Sequence, residues 1–275
     1  PALMDGKPQV IEREINNTNQ AIGAMLGNEL TKRWGEAGLK SGTLELRLRG
    51  SAGQSLGAFI PRGIKLVVEG DCNDYVAKGL SGGMVVVKPP TGSGFVASEN
   101  VIAGNVIGYG ATGGEIYLNG VVGERFLVRN SGATAVCEGV GDHALEYMTG
   151  GTALILGRTG RNLGAGMSGG VAYIYKLRGD RVNHESLAAG ELQLQKPDEV
   201  HSARIKALLE SHATETGSLL ATDLIANFES ILADFTVVMP RDYANVLSIR
   251  ETALKQGQDP DSPEVWEKIL EVTNG

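Results

Sequence analysis

The residues of this chain that could carry acid and base chemistry are concentrated in two neighbouring stretches. They are Arg125 and Arg129 in GERFLVRNSG (residues 123–132) and Asp142, His143 and Glu146 in GVGDHALEYMTGG (residues 139–151). A carboxylate beside an imidazole could exchange protons with a substrate, and two guanidinium groups could hold a small anionic acid. The same side chains could instead pair with one another at turns of the chain, because buried polar groups need partners. We favour the structural interpretation, since paired arginines and carboxylates in turns are more often structural than catalytic.

A second candidate is the glycine-rich stretch GRTGRNLGAGMSGG, residues 157–170. The spacing of Gly157, Gly160 and Gly164 resembles a phosphate-binding loop, which should leave a strand and enter a helix. Here the stretch leads to another glycine corner and another apolar run, and no Lys-Ser/Thr pair follows. The same spacing occurs in GSAGQSLG, residues 50–57. A repeated motif indicates repeated architecture, so these glycines are predicted to serve the path of the chain.

Metal and redox chemistry have little support in the sequence. The two cysteines, Cys72 and Cys137, are too few and too far apart for a zinc or iron–sulfur site, and Cys137 lies in an apolar run. The histidines at 184, 201 and 212 lack metal-ligand spacing. The sequence therefore predicts no catalytic, cofactor-binding or metal-binding residue in this chain.

The composition excludes several classes of partner. A net charge of −7 without a basic block argues against nucleic acid, and no apolar run is long enough to span a membrane. The first residues lack the pattern of a signal peptide, and they also lack an initiator Met, so the chain could be a fragment. We expect a reduced, cytoplasmic protein.

The elements that must position these residues follow from the glycines of the chain. The chain has 39 glycines, about twice the usual share, and most of this excess over the average lies between residues 42 and 170. A glycine precedes a short apolar run seven times, at intervals of 18 to 21 residues except for one of 31. The long interval contains the loop KPPTGSGFVASEN. The glycines are Gly42, Gly63, Gly83, Gly114, Gly132, Gly151 and Gly170.

Each apolar run is predicted to be a strand with one face inward. The fourth residue after the glycine is always aliphatic, and alternation places it on one face with the second residue. These fourth residues are Leu46, Val67, Val87, Leu118, Val136, Ile155 and Ile174. Strands that recur about every 19 residues stack on one another. The predicted fold is mainly β: a right-handed, single-stranded parallel β-helix of about seven rungs over residues 42–185.

Helices are expected on both sides of this coil. Residues 1–41 are predicted to form a linker and a helix, and residues 186–275 a tail of amphipathic helices. The third and fifth residues of the last three rungs form an apolar strip, which we expect the tail to cover. That strip comprises Ala135, Cys137, Leu154, Leu156, Tyr173 and Tyr175.

Long stretches of the chain closely resemble the carboxy-terminal domain of the glutamate synthase large subunit. The resemblance extends from about residue 15 to residue 247. It is carried by GSAGQSLGAF (50–59), EGDCNDYVAKGLSGG (69–83), GNVIGYGATGGE (104–115), GERFLVRNSGA (123–133), EGVGDHALEYMTGG (138–151) and GRNLGAGMSGGVAY (160–173). One departure is Cys72, where small residues such as Ala are common.

The resemblance implies a non-catalytic β-helix that packs between a glutaminase domain and an FMN-binding domain of the same subunit. The whole enzyme makes glutamate from glutamine and 2-oxoglutarate, with FMN and an iron–sulfur cluster in other domains. Its electrons come from ferredoxin or from a nicotinamide-dependent small subunit, so a small electron-transfer subunit is a further expected partner. The isolated chain is then expected to have no activity and to contain no cofactor.

Two alternatives remain open from the sequence. The chain could be a stand-alone assembly subunit of a redox complex, similar to the β-helix subunit of formylmethanofuran dehydrogenase, which shares a glycine-rich coil. It could also be a small-acid enzyme that uses Arg125, Asp142 and His143.

Overall fold

The computed structural model of the chain describes residues 1–273. Within this range twelve strands form one mixed sheet, and eight α-helices precede, interrupt and follow it. The strands are β1 (Gln9–Ile15), β2 (Leu44–Ala52), β3 (Ile64–Cys72), β4 (Ser81–Lys88), β5 (Val101–Ala103), β6 (Gly113–Leu118), β7 (Val121–Val122), β8 (Ser131–Cys137), β9 (Thr149–Ile155), β10 (Gly169–Tyr175), β11 (Leu192–Gln195) and β12 (Phe235–Pro240). The helices are α1 (Ala2–Asp5), α2 (Ala24–Trp34), α3 (His184–Ala188), α4 (Glu199–Thr216), α5 (Leu219–Ala226), α6 (Phe228–Ile231), α7 (Arg241–Lys255) and α8 (Pro263–Thr273).

The main ladder of the sheet follows chain order. Its order is β1-β2-β3-β4-β6-β8-β9-β10-β12-β11, and every pair up to β10 is parallel. The short strands β5 and β7 pair outside this path, with β3 and with each other. The sheet is open, with β1 and β11 at its edges. We refer to β2, β3, β4, β6, β8, β9 and β10 with their connections as the parallel stack.

Helices and strands hold similar shares of the described chain, so the expectation of a mainly β protein is true of the parallel stack only. The difference comes from the tail, in which three long helices follow residue 198. None of the helices within residues 1–273 combines the length and apolar character needed to cross a lipid bilayer.

The parallel stack has a continuous aliphatic interior, as the period of the glycines predicts. Ile155 is fully buried and lies between Cys137 and Ile174 in the ladder. The inward position is confirmed for Val87, Leu118, Ile155 and Ile174, and Leu46 packs against the same core. It is wrong for Val67 and Val136, which lie on the opposite face.

The two errors have a local cause. Counting from a glycine assumes that every rung places its corner at the same distance from the core positions. In the rung of β8, Ala133 lies beside Gly151 of the next rung, so Gly132 corresponds to Gly150, the first glycine of that pair. Counting from Gly132 therefore ends one residue before the core position. In the rung of Gly63 the strand begins one residue earlier, and Leu66 and Val68 are buried in the core instead. A slip of one residue moves every side chain to the other face.

The glycines of the candidate phosphate loop serve the stacking of one rung on the next. A Cβ on Gly157 would overlap the carbonyl oxygen of Glu138, and one on Gly160 would overlap the backbone at Gly141 and Asp142. A Cβ on Gly53 would meet the carbonyl oxygens of Asn17 and Asn19 in the same way. The structural interpretation of these glycines is confirmed.

The tail covers the outer face of the parallel stack, and part of the tail is a strand. Ile205, Leu208 and Leu209 of α4 are buried in a second core with Leu154 and Tyr173, so the predicted cover of the strip is confirmed there. Ala135 and Cys137 were assigned to the strip wrongly, because both lie in the interior core.

Two further elements differ from the sequence prediction. The run FTVVM was predicted as helix but forms β12, which pairs antiparallel with β10 and with β11. Near the amino terminus, β1 was not predicted, and it extends the ladder by pairing along β2. The predicted amino-terminal helix is present as α2, and the last residues of the predicted tail, 274 and 275, lie outside the described residues.

Candidate functional site

Each connection in the middle of the parallel stack places three alternate residues in the left-handed backbone region. In one connection these are Arg125 (φ 62°), Leu127 (φ 57°) and Arg129 (φ 57°). The backbone N–H of Arg125 donates to Asp142 O at 2.8 Å, and that of Leu127 donates to Ile107 O on the opposite neighbour at 2.8 Å. The connections are therefore hydrogen-bonded on both sides. They bury the middle residue in the core and expose the two arginines.

Asp142 links two successive connections. Its Oδ1 accepts the backbone N–H of Arg161 at 2.7 Å, and its Oδ2 accepts from the Arg161 guanidinium at 3.0 Å. The backbone N–H and then the guanidinium lower the pKa of Asp142 below its ordinary value. Asp74 makes the equivalent bond to the Asn105 backbone at 2.7 Å. Asp142 thus occupies a repeated structural position.

His143 and Glu146 bind to each other rather than to Asp142. His143 Nδ1 lies 2.6 Å from Glu146 Oε1, and Asn162 Nδ2 donates to the same oxygen at 3.1 Å. Asn183 donates to Asn162 Oδ1 at 2.6 Å, which continues the network towards α3. The predicted mutual pairing at turns is confirmed for His143 and Glu146, whereas Asp142 pairs with Arg161, which was not among the predicted partners. It is not found for Arg125 and Arg129, whose side chains have no ion pair within residues 1–273.

The two arginines instead line a groove of about 920 Å³ on the surface formed by the connections. We call it the tyrosine–arginine groove; its main polar and aromatic residues are Tyr75, Lys78, Tyr109, Arg125, Arg129 and Tyr147. Tyr75 and Tyr147 have positive φ, as the two arginines do. They are 39% and 60% exposed. Their positions follow from the stacking of the connections, one rung above another.

The cations of this groove have no anionic partner of their own. No carboxylate in the described chain comes within 4.0 Å of the charged nitrogens of Lys78, Arg125 or Arg129. Glu146 lines the groove but is already bound to His143. Lys78 Nζ lies 5.5 Å from the centre of the Tyr75 ring, a cation–π distance. The groove is therefore a positively charged, aromatic surface on a chain of net charge −7.

A second cationic groove differs in this respect. It contains Arg158, Lys176, Arg178 and Arg181. Arg178 and Arg181 both pair with Asp180, and Lys176 lies 4.0 Å from Asp234. Most of its charge is neutralised within the chain.

A buried polar cluster joins the parallel stack to the tail. Glu138, His212 and Ser218 are 1%, 0% and 0% exposed. Glu138 Oε1 accepts a short hydrogen bond from the Ser218 hydroxyl, and His212 Nε2 lies 3.4 Å from the same oxygen. The Ser218 hydroxyl also caps α5 by accepting from the Ala221 N–H at 3.0 Å.

These residue types resemble a nucleophile, a base and an acid, but their bonds do not support that chemistry. A serine nucleophile needs its hydroxyl bonded to the imidazole that removes its proton, and here it is bonded to the carboxylate. The cluster instead anchors the tail to β8. The sequence analysis missed it, because Glu138 and His212 are 74 residues apart and only the fold brings them together.

The two cysteines are free thiols in the core. Burial raises the pKa of both, that of Cys137 to about 12, so neither is a thiolate at neutral pH. Within residues 1–273, no group of three or more His, Cys, Asp and Glu side chains is arranged to hold a metal ion.

Comparison with known proteins links these features to one family. The chain is 48% identical over 257 residues to glutamate synthase (NADH) of Schizosaccharomyces pombe, which covers 92% of this chain and 12% of that protein. It is 47% identical over 251 residues to the glutamate synthase (NADPH) large chain of Bacillus subtilis, with 90% and 16% covered. It is 45% identical over 236 residues to the ferredoxin-dependent glutamate synthase of Pyropia yezoensis, with 85% and 15% covered.

The resemblance to glutamate synthase large subunits is therefore confirmed, and the chain spans only 12% to 16% of the length of these relatives. The family model described as the GXGXG motif matches residues 1–241, which include the parallel stack, β12 and helices α1 to α6. The chain belongs to the GXGXG motif family.

Proposed function

We propose that this chain is a scaffold domain of a glutamate synthase large subunit, placed at the carboxy-terminal end of that subunit, and that it contributes no catalytic residue. Its role is to hold the other domains at a fixed separation. We also propose that the parallel stack winds as a right-handed, single-stranded parallel β-helix of about seven rungs. Parallel pairing in chain order, together with connections bonded on both sides, supports that winding.

One observation carries the scaffold proposal: the carboxylates and the imidazole that could do acid–base chemistry are bound to partners within the chain. Both oxygens of Asp142 accept hydrogen bonds from Arg161, and Glu146 is held by His143 and Asn162. A general base must be free to reach a substrate proton, and these groups are not. The same bonds argue against a small-acid enzyme that uses Arg125, Asp142 and His143.

The names of the relatives support a proposal for the activity of the whole protein. They use NADH, NADPH or ferredoxin, so we propose that the parent enzyme reduces an intermediate between glutamine-derived ammonia and 2-oxoglutarate to form glutamate. FMN and an iron–sulfur cluster would lie in other domains. Buried free thiols suit a reducing compartment, and we propose the cytoplasm.

The test is to remove the candidate acid and base from the complete large subunit. Asp142→Asn keeps the shape of the side chain, and His143→Gln keeps a hydrogen-bonding group. We expect kcat and KM for glutamate formation within about twofold of the wild type once the folded fraction is matched, as for residues outside the reacting centre. A fall in kcat of about 10²-fold or more, without loss of folded protein, would assign these residues to catalysis instead.

A further inference from the structure

We infer that the tyrosine–arginine groove is a docking site for a carboxylate-bearing segment of the same, longer polypeptide. The inference rests on the scaffold proposal and adds to it the surface and the chemistry of the contact. It starts from three cations, Lys78, Arg125 and Arg129, that lack a carboxylate within the described chain.

The cations of this groove are better placed to bind a carboxylate than those of the second groove, because they have no anionic partner within the described chain. An acidic segment that docks on the second groove must compete with Asp180 and Asp234, which already pair with three of its cations. Among the described residues that line the tyrosine–arginine groove, the only acidic one is Glu146, and its carboxylate is bound by His143 and Asn162. Two arginines can each bind a carboxylate in bidentate fashion, so the groove is suited to Asp and Glu side chains.

The aromatic residues and the backbone add two properties of an interface. Tyrosine and arginine are enriched among the residues that dominate binding energy, and Tyr75 and Tyr147 are exposed beside Arg125 and Arg129. All four lie on a backbone fixed by hydrogen bonds to both neighbouring connections. A surface that is already ordered loses little conformational freedom on binding.

The length of the relatives indicates what occupies the groove. The relatives are about six to eight times longer than the part this chain matches, so most of the polypeptide has yet to be placed against it. A second copy of the chain is the other occupant to be tested.

Carbodiimide coupling in the complete large subunit tests the inference directly, because it joins a lysine to a carboxylate that touches it. We expect a cross-link from Lys78 to an Asp or Glu outside residues 1–275, identified by mass spectrometry. The Lys78→Arg variant keeps the charge and should lose the cross-link, while cross-links from the exposed Lys40 should be unaffected. A cross-link to a residue of a second copy's groove, or none from Lys78, would overturn the inference.

Hydroxyl-radical labelling of the two tyrosines provides a second measurement. In the wild-type subunit Tyr75 and Tyr147 should be labelled about tenfold more slowly than in an Arg125→Glu/Arg129→Glu variant, because docking excludes water. An Arg158→Glu/Arg178→Glu variant carries the same charge change in the second groove and should label like the wild type. An Arg125→Gln/Arg129→Gln variant, which lacks the new negative charge, covers the case in which the reversal does not fold.

Equal labelling of the tyrosines in the wild type, in the Arg125→Glu/Arg129→Glu variant and in the Arg125→Gln/Arg129→Gln variant would refute the docking of a carboxylate segment. The scaffold proposal is tested separately, by glutamate formation in the Asp142→Asn and His143→Gln variants. If those variants stay active while Lys78 forms no cross-link, the scaffold stands and the groove assignment fails. If they lose activity, the scaffold proposal fails whatever the labelling shows.

Discussion

Replacing Ile155 with alanine should destabilise the parallel stack by about 3–5 kcal/mol. Ile155 is 0% exposed, and its neighbours in the ladder are Cys137 and Ile174. The substitution removes three carbon atoms, worth about 0.8 kcal/mol each in lost burial. The remaining cost is the cavity, because both neighbouring strands are fixed by ladder hydrogen bonds and cannot collapse into it. The expected value therefore lies in the upper part of the range for buried aliphatic-to-alanine changes.

The assay is urea unfolding with hydrogen exchange of peptides from β8, β9 and β10, since a stacked fold can unfold in parts. Leu219→Ala is the matched control, because Leu219 is 85% exposed and should change the free energy of unfolding by less than about 0.5 kcal/mol. Exchange in β9 and in its two neighbours should accelerate in the Ile155→Ala variant. A loss of less than about 1 kcal/mol would show that the inward face of β9 has been assigned wrongly.

Three further predictions concern the polar and thiol groups. Glu138→Ala should cost about 3–5 kcal/mol and make the tail sensitive to limited proteolysis, because His212 and Ser218 lose a buried partner; an undigested tail would contradict the anchoring role. The pKa of Asp142 is lowered in the folded state, so its contribution to stability is present above its unfolded value of about 3.9 and is lost as the pH falls through the folded value. Acid unfolding of Asp142→Asn should therefore be less steep below about pH 4 than that of the wild type, and identical curves would refute the assignment. Finally, Cys72 and Cys137 should stay unmodified by a thiol reagent at pH 8 until the protein unfolds, because burial raises the pKa of both; rapid labelling of the native chain would show that the thiols are accessible.

The stacked architecture could be predicted because it repeats. The interval between glycines reports the length of one rung, and steric overlap at positions such as Gly157 explains why glycine recurs. The face of each strand could not be read as safely. Gly132 corresponds to the first glycine of the pair in the next rung, so counting from it placed Val136 in the core, whereas Val136 lies beneath the tail.

The elements that were missed are those whose structure depends on distant partners. The run FTVVM is apolar throughout, so periodicity cannot distinguish a buried helix from a strand, and only pairing with β10 decides it. The left-handed backbone conformation of Arg125 and Arg129 could not be predicted for a related reason. Glycine marks such positions in other connections, at Gly108 and Gly110 for example, whereas arginine is rare there. The sequence analysis found both arginines and expected them to pair with carboxylates at turns, whereas they line a groove and have no such partner in the described chain.

The distinction between chemistry and architecture depends on where each polar side chain finds its partner. Asp142 and Glu146 look catalytic in the sequence, yet each binds a residue of the next rung, Arg161 and Asn162 respectively, and Glu146 also binds His143 of its own connection. Arg125 and Arg129 lie on the same connections and have no partner in the described chain. The internal polar groups of a rigid scaffold need hydrogen-bond partners within the chain. Some of its surface groups must lack such partners so that they can bind another domain. The carboxylates of this surface have partners within the chain, and the two arginines do not. We therefore propose that this face functions by contacting a segment outside the chain.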